Sequence, residues 1–340
     1  MDRFVVGTGR CGSTLLSRML AESPQILSIF EFMNGLDMTR RFSPEPVPGA
    51  ELAHLLSREH PFVTMVLRRG YPVPEIVYPF DRPGARYRRQ DPLPYLLGCA
   101  LPRLADDPDA LFDETLAFAE GRPLQPLARH YRELFDWWTR RFGRELWIER
   151  SGSSIDYLGS LAELFPEARF VHLHRDGREA ALSMREHHAF RLAIGLSCQV
   201  LDDRVRSLDD LDLDPGRAPD ASDAISRMLA ARPAASWFGR FWAAQIERGM
   251  LARRGLAEDR WLELRFEDLV ARPEEALRRI AAFLDLDPAR GGWIRRAAGL
   301  ICGLPPARRG GLPAGERERL DEACRPGMRL VGRELEEEAP

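Results

Sequence analysis

Three glycines, Gly7, Gly9 and Gly12, fall within six residues between a short apolar run and an amphipathic one near the start of the chain. Phe4 to Val6 suits a buried strand, and Leu15, Leu16, Met19 and Leu20 recur at helical spacing until Pro24. Gln25 to Phe32 then reads as a second strand that carries Glu31 near its end. A strand, a glycine turn and a helix in this order aim backbone N–H groups and the positive end of a helix dipole at one point. Arg10 adds a cationic fork there, and Ser13 and Thr14 add hydroxyls in the first helical turn. Phosphate is the expected guest.

The turn fits more than one phosphate chemistry. Gly7, Gly9 and Gly12 match G-x-G-x-x-G, and Glu31 stands 19 residues after Gly12, where a dinucleotide-binding unit keeps its ribose acid. Gly7 and Gly12 also open a Walker A pattern, but Ser13 occupies the place of its lysine. The chain has no lysine at all, so its 49 basic residues are arginine and the ordinary kinase reading loses its main electrophile.

A length of 340 residues with 44% hydrophobic residues builds a sizeable core. A net charge of −3 gives no bulk attraction to nucleic acid or membrane, so an anion site here arises from local clustering. Five scattered cysteines, Cys11, Cys99, Cys198, Cys302 and Cys324, lack metal-ligand spacing and fit a reduced, cytoplasmic setting. The first strand begins after two residues, which leaves no room for a signal peptide, and no apolar run reaches the length of a membrane span.

Residues 33–125 are rich in Pro, Gly and Arg and resist assignment; they read either as a lid or acceptor-binding loop or as an insertion. Gln125 to Phe142 predicts an amphipathic helix with Leu127, Tyr131, Leu134, Phe135 and Trp138 on its core face. Leu146 to Ile148 predicts a strand, Ile155 to Phe165 a helix, and Arg169 to His174 a further strand, followed by a helix through Ala180, Leu182, Met184 and His187. Asp202 to Asp223, with eight aspartates, reads as a solvated acidic connector. A core helix around Trp237 to Ile246, a strand from Trp261, a helix over Pro273 to Leu286 and a terminal helix over Ala314 to Glu334 complete the chain. The alternation predicts an α/β fold with a mostly parallel sheet covered on both faces, in one domain over 1–340. Ligands of such sheets sit at the carboxyl ends of the strands, where Gly9 to Thr14 and Arg175 to Arg178 both fall.

Arg175 leaves a strand end and Ser183 follows two helical turns on, a pairing that holds a second phosphate. A local ion-pair turn among Arg175, Asp176 and Arg178 is the alternative. Gly7-Thr-Gly9-Arg10-Cys11-Gly12-Ser13-Thr14 together with Arg175-Asp-Gly-Arg-Glu-Ala-Ala-Leu-Ser183 resembles the sulfotransferases that use 3′-phosphoadenosine 5′-phosphosulfate (PAPS). Trp261-Leu-Glu-Leu-Arg-Phe-Glu-Asp-Leu269 with Arg272-Pro-Glu274 and the basic Arg308-Arg309-Gly310 are similar to later elements of that family. The resemblance covers 3–32 and 144–335 and leaves 33–143 as a variable, acceptor-side stretch.

It implies a P-loop-like three-layer fold and sulfuryl transfer to a hydroxyl, less readily an amine, of a small-molecule, glycan or lipid acceptor. It also implies that Gly9, Arg10, Cys11, Gly12, Ser13 and Thr14 hold the 5′-phosphosulfate, that Arg175 and Ser183 hold the 3′-phosphate with Arg308 and Arg309 nearby, and that Glu31 is the general base. His187 and His188 rank below Glu31 as bases, and His172 and His174 read as packing. The chemistry requires no metal. Cys11 replaces the usual serine, and Glu149-Arg150-Ser151 replaces a Lys-x-Pro, which makes Arg150 the candidate for the missing cation. A tyrosine- and arginine-rich 68–90 stretch points toward an anionic or glycosidic acceptor. An NAD- or FAD-dependent oxidoreductase explains the glycines and Glu31 but gives Arg175 to Ser183 no task; a nucleotide-binding, non-catalytic member is the other alternative. Oligomeric state is not legible.

Overall fold

Every residue of Phe4 to Val6 is buried, because this strand lies in the middle of a sheet covered on both faces. A computed structural model describes residues 1–198, 200–201, 204–205 and 219–333. Its strands are β1 (Arg3–Val6), β2 (Ile26–Phe30), β3 (Leu146–Arg150), β4 (Arg169–His174), β5 (Val200–Leu201), β6 (Arg204–Val205) and β7 (Trp261–Arg265). β5 and β6 form a small antiparallel pair, and the other five make one all-parallel sheet in the order β2-β3-β1-β4-β7. The chain therefore crosses from β1 outward to β2 and back to β3, then steps to the other side of β1. The crevice that opens at that reversal is where a doubly wound sheet binds its ligand.

The helices are α1 (Ser13–Ala21), α2 (Gly49–Ser57), α3 (Pro61–Arg68), α4 (Pro108–Glu120), α5 (Leu127–Arg141), α6 (Leu158–Leu164) and α7 (Gly177–Arg185). They continue as α8 (His188–Ser197), α9 (Ala224–Ala230), α10 (Ala235–Arg253), α11 (Phe266–Ala271), α12 (Pro273–Phe283), α13 (Trp293–Ala298) and α14 (Ala314–Leu330). Strand alternation sorts them into layers. Phe4, Val6, Leu27, Ile29 and Phe170 face a core completed by α2, α4, α5 and α6. Val5, Ile26, Val171 and Leu173 face the opposite side, against α1, α11, α12 and α13. Two further clusters join α7, α10 and α14 around Trp242, and α3, α8 and α9 around Leu192 and Met228.

Residues 33–125 are not an irregular excursion. Leu52, Leu56, Leu97, Leu101 and Phe112 pack directly under the sheet beside Trp138 of α5, so most of one helical layer comes from this stretch. The helix expected from Ile155 begins instead as a 3₁₀ turn, Ser154–Tyr157, and the helix expected from Gln125 starts at Leu127, with Gln125 bridged to Val47. The acidic connector at 202–203 and 206–218, and the expected end of the last helix at Glu334, lie outside the described residues. Asp223 closes the connector by capping α9 through Ser226 N at 2.7 Å and pairing with Arg69 at 3.0 Å.

Candidate active site

The turn after β1 delivers the chain into α1 through Gly12, whose left-handed φ of 97° is open to glycine and whose missing Cβ leaves room for the Phe266 ring. The first turn of α1 carries no acidic residue and presents Ser13 and Thr14. Four described residues other than glycine hold a left-handed backbone, and three of them, Arg10 (φ 61°), Glu31 (φ 56°) and Ser153 (φ 55°), line one cavity of about 670 Å³ beyond the carboxyl ends of the strands. Such conformations cost roughly 1–3 kcal/mol each and cluster where function holds them.

Glu31 is buried at the end of β2 and is approached by donors on both carboxylate oxygens. Arg150 Nη1 donates to Oε1, Gly152 N donates to Oε1 at 3.0 Å and to Oε2 at 3.1 Å, and Asn34 Nδ2 donates to Oε2 at 2.7 Å. Each donor is placed by a further contact. Tyr157 Oη donates to Asn34 Oδ1 at 2.9 Å, and Ser151 Oγ accepts from Met33 N at 3.1 Å, pinning the turn after β2 to the end of β3. Arg150, 2% exposed, also donates to Thr14 Oγ1 at 3.2 Å and stacks over Phe30 at 3.7 Å. It therefore links Glu31 to the glycine-rich turn, and its Nε is buried without a partner. The Glu149-Arg150-Ser151 sequence thus divides its labour: Arg150 enters the site, while Glu149 and Ser151 fasten the turn behind it.

The second anion motif meets the first. Arg10 Nε donates to Ser183 Oγ at 3.2 Å, and both residues line the cavity with Arg175. Arg175 lies over the Phe266 ring at 5.1 Å and 4.0 Å from Glu179, and burial lowers its guanidinium from the usual value. The ion-pair turn considered for this motif is confined to Asp176 and Arg178, at 2.6 Å, and Asp176 also caps α7. Arg175 is thereby left facing the cavity.

Two residues that sequence reasoning passed over, or ranked low, complete the wall. Glu75 Oε2 accepts from His187 Nε2 at 3.0 Å, and Glu75 Oε1 lies 3.6 Å from Arg10 Nη1. Burial alone would raise the Glu75 carboxyl, but His187 and Arg10 outweigh it and hold it down at about 2. Because Glu75 only accepts, His187 Nε2 carries a hydrogen, and His187 Nδ1 is buried and without a partner. The signal for Glu75 in the sequence is slight: one acid inside the proline-rich run Tyr71 to Phe80. Asn34 has none.

Other expected site residues fall elsewhere. Cys11 turns its side chain into the core under α1, leaving only its backbone near the turn. Arg308 and Arg309 do not line the cavity: their backbone N–H groups donate to Glu179, and the Arg309 side chain is held by Asp321 at 2.9 Å. His188 lies against Tyr71 outside the cavity lining, and His172 and His174 are buried in the sheet beside Trp261.

The model of the sulfotransferase family matches residues 103–232 and 217–289, more than half of the chain. The chain belongs to the sulfotransferase family. A solved sulfotransferase domain from the curacin biosynthetic pathway shares this fold at a TM-score of 0.51 and 15% identity, covering 98% of each chain. A sulfotransferase domain from the Synechococcus PCC 7002 olefin synthase gives 0.44 at 18% identity, over 97% of this chain and 93% of that one. A sulfotransferase from Mycobacterium avium gives 0.44 at 18%, over 98% and 78%. Curated protein sequences give no match. Among the described residues of this sulfotransferase no cluster of three His, Cys, Asp or Glu side chains is placed to hold a metal ion, and no helix is long and apolar enough to cross a membrane.

The sulfotransferase also carries a pH-sensitive strut beside the site. Burial pushes the Glu149 carboxyl up to about 7, against hydrogen bonds from Ser151 Oγ at 2.6 Å and Met33 N at 3.3 Å. An acid whose folded pKa is raised costs nothing below its unfolded value near 4.5, and its cost grows as pH climbs to about 7 and then stays constant. Glu149→Gln is therefore expected to come close to wild type at pH 4.5 and to exceed it at pH 8 by about 3–4 kcal/mol, at about 1.4 kcal/mol per pKa unit. Urea unfolding at the two pH values checks this; equal differences at both would refute it.

Proposed function

We propose that this sulfotransferase moves a sulfuryl group from PAPS to an acceptor hydroxyl, with the cytoplasm as its setting, since all five cysteines are free. The observation that carries the reading is the meeting of Arg10 and Ser183 in one cavity with Arg175 and Glu31. Two anion grips that converge there fit a donor with phosphate at both ends better than a dinucleotide, for which Arg175 and Ser183 have no task. The donor set also fits: the first turn of α1, which no side chain caps, with Arg10, Ser13, Thr14 and the unpartnered Arg150 Nε at one end, and Arg175 and Ser183 at the other. Gly9 and Gly12 leave their Cβ space to the Phe190 and Phe266 rings, Cys11 offers its backbone N–H, and Arg308 lies near Arg175.

When bound, PAPS supplies the sulfuryl group and leaves as adenosine 3′,5′-bisphosphate. Arg10, Arg150 and the α1 amides hold the 5′-phosphate and oppose the charge that develops on it. Glu31 accepts the acceptor's proton as its oxygen bonds to sulfur, while Arg150, Asn34 and Gly152 N fix the carboxylate in place. His187 is a second reading for the base, favoured by its partnerless Nδ1 and by Glu75 behind its other nitrogen, the arrangement that orients an imidazole for proton abstraction.

Calorimetric titration with adenosine 3′,5′-bisphosphate, set against NAD and ATP, tests the donor. Wild type is expected to prefer the bisphosphate, and Arg175→Ala to weaken it at least about tenfold, the loss of one charge-assisted hydrogen bond. NAD binding that Arg175→Ala leaves unchanged would return the first turn to the dinucleotide fingerprint.

A further inference from the structure

From the glycine-rich turn, where the Phe190 ring packs over Gly9, the cavity runs into a wedge between α3 and α8. Its walls are Phe62 and Val63 on α3, Ala189, Phe190 and Ala193 on α8, and Val73 between them. Val63 and Val73 belong to the apolar cluster that joins the two helices, and Phe190 packs its ring against His187 at 5.3 Å. The ionisable groups facing the wedge are either neutral or already engaged. Burial lowers the His60 ring to about 4, so it is neutral at pH 7. Tyr95 sits against His60 at 5.2 Å, and burial holds its phenol well above the usual value. Glu75 is bound to His187 and Arg10. On the far rim Arg41 donates to Met33 O at 3.0 Å and stacks on Tyr157 at 4.3 Å, and Asp156 is paired with Arg248.

An anionic acceptor would find the Glu75 carboxylate in this wedge, while the cation acting on His60, Arg41, has a buried partnerless Nε but is turned onto Met33 O and the Tyr157 ring. A sugar would bring several hydroxyls to a largely apolar wall where His60 Nδ1 is a buried polar atom without a partner, and unpaired buried hydroxyls are costly. The tyrosine- and arginine-rich 68–90 stretch contributes only Val73 and Glu75 to the lining, so its arginines do not support an anionic or glycosidic acceptor.

Resting on the sulfotransferase reading above, we propose that the acceptor is an uncharged hydrophobic alcohol whose hydrocarbon part lies between α3 and α8 and whose hydroxyl points to the polar end shared by Glu31, Glu75 and His187. The apolar wedge selects by chain length. Burying one methylene is equivalent to about fourfold in affinity, so consecutive primary alcohols climb by about that factor until the wedge is full.

The test is calorimetric binding of butan-1-ol, hexan-1-ol and octan-1-ol to the full chain, with and without saturating adenosine 3′,5′-bisphosphate, alongside sulfuryl transfer from PAPS to the same alcohols and to methyl glucoside. Affinity and kcat/KM are expected to rise with length, and octan-1-ol to exceed methyl glucoside by at least about a hundredfold. Ala193→Arg places a charge in the wedge and is expected to weaken octan-1-ol at least tenfold, leaving bisphosphate affinity within twofold. Val73→Asn gives the same result from the facing wall if the first variant folds poorly. A flat length series, or methyl glucoside equal to octan-1-ol, overturns the proposal. Bisphosphate binding without octan-1-ol binding removes the acceptor assignment alone, whereas graded alcohol binding without bisphosphate binding removes the donor reading and keeps the apolar subsite.

Discussion

Arg150→Ala is expected to destabilise the protein by about 3–5 kcal/mol, the cost of leaving one member of a buried ion pair without the other. Arg150 and Glu31 are 2% and 4% exposed at their side chains, so water cannot replace the lost partner. The guanidinium also stacks on Phe30 at 3.7 Å, a ring that Arg103 covers from elsewhere at the same distance, so truncation opens a gap beside a second cation. Part of the loss is electrostatic and part is packing, and a double-mutant cycle separates them. Arg150→Met keeps most of the volume, and adding Glu31→Gln removes the stranded charge. The double variant is expected to recover at least half of what Arg150→Met loses, measured by urea unfolding at pH 7. A cost below about 1 kcal/mol for Arg150→Ala, the scale of a solvated pair, would mean that the pair is screened and that Glu31 does not depend on it.

The parallel sheet was legible in the sequence because its strands are buried on both faces and bounded by breakers. Phe4 to Val6, Gln25 to Phe32 and Arg169 to His174 read as short strand runs between turn residues; the first appears with Arg3 added, the second is shorter, Ile26 to Phe30, and the third keeps its bounds. The positions of Gly7 to Thr14 and Arg175 to Ser183 at strand ends were equally legible, since each follows directly on an apolar strand run.

The stretch over 33–125 was not, for a physical reason. α2 and α3 have 9 and 8 residues, too few for periodicity to stand out, and Leu96–Ala100 is a single π-helical turn with no sequence signature of its own. Their burial is decided by the sheet they cover. The same holds for Glu75 and His187, which lie 112 residues apart and become a pair only when α3 and α8 pack together. Asn34 reaches Glu31 because Ser151, more than a hundred residues later, fixes the turn on which it sits. Arg150 could be named as a candidate cation from the motif it replaces, but its pairing with Glu31 is a property of neighbouring parallel strands, where Phe30 lies beside Arg150 in register.

Glu31→Gln is expected to lower kcat by about 10²–10⁴, the range for removing a positioned general base, while the KM for PAPS and the affinity for adenosine 3′,5′-bisphosphate stay within a few-fold. The amide fills the same volume but brings an NH₂ group to a place where Arg150, Asn34 and Gly152 N all donate, so unfolding must be measured beside kinetics to separate a misplaced side chain from a missing base. His187→Ala is the decisive companion. If Glu31 takes the proton, His187 acts through the position of Glu75 and Arg10, and its removal costs about 10–100-fold, as for groups that orient others. If His187 takes the proton, the ranking reverses: His187→Ala carries the large loss, and Glu75→Gln follows it because the imidazole loses the carboxylate that sets its tautomer. The two carboxylates are held by different partners, Glu31 by Arg150 and Glu75 by His187, and a removed base lowers kcat without weakening bisphosphate binding. The ratio of kcat losses in Glu31→Gln and His187→Ala therefore assigns the proton transfer to one wall of the cavity or the other.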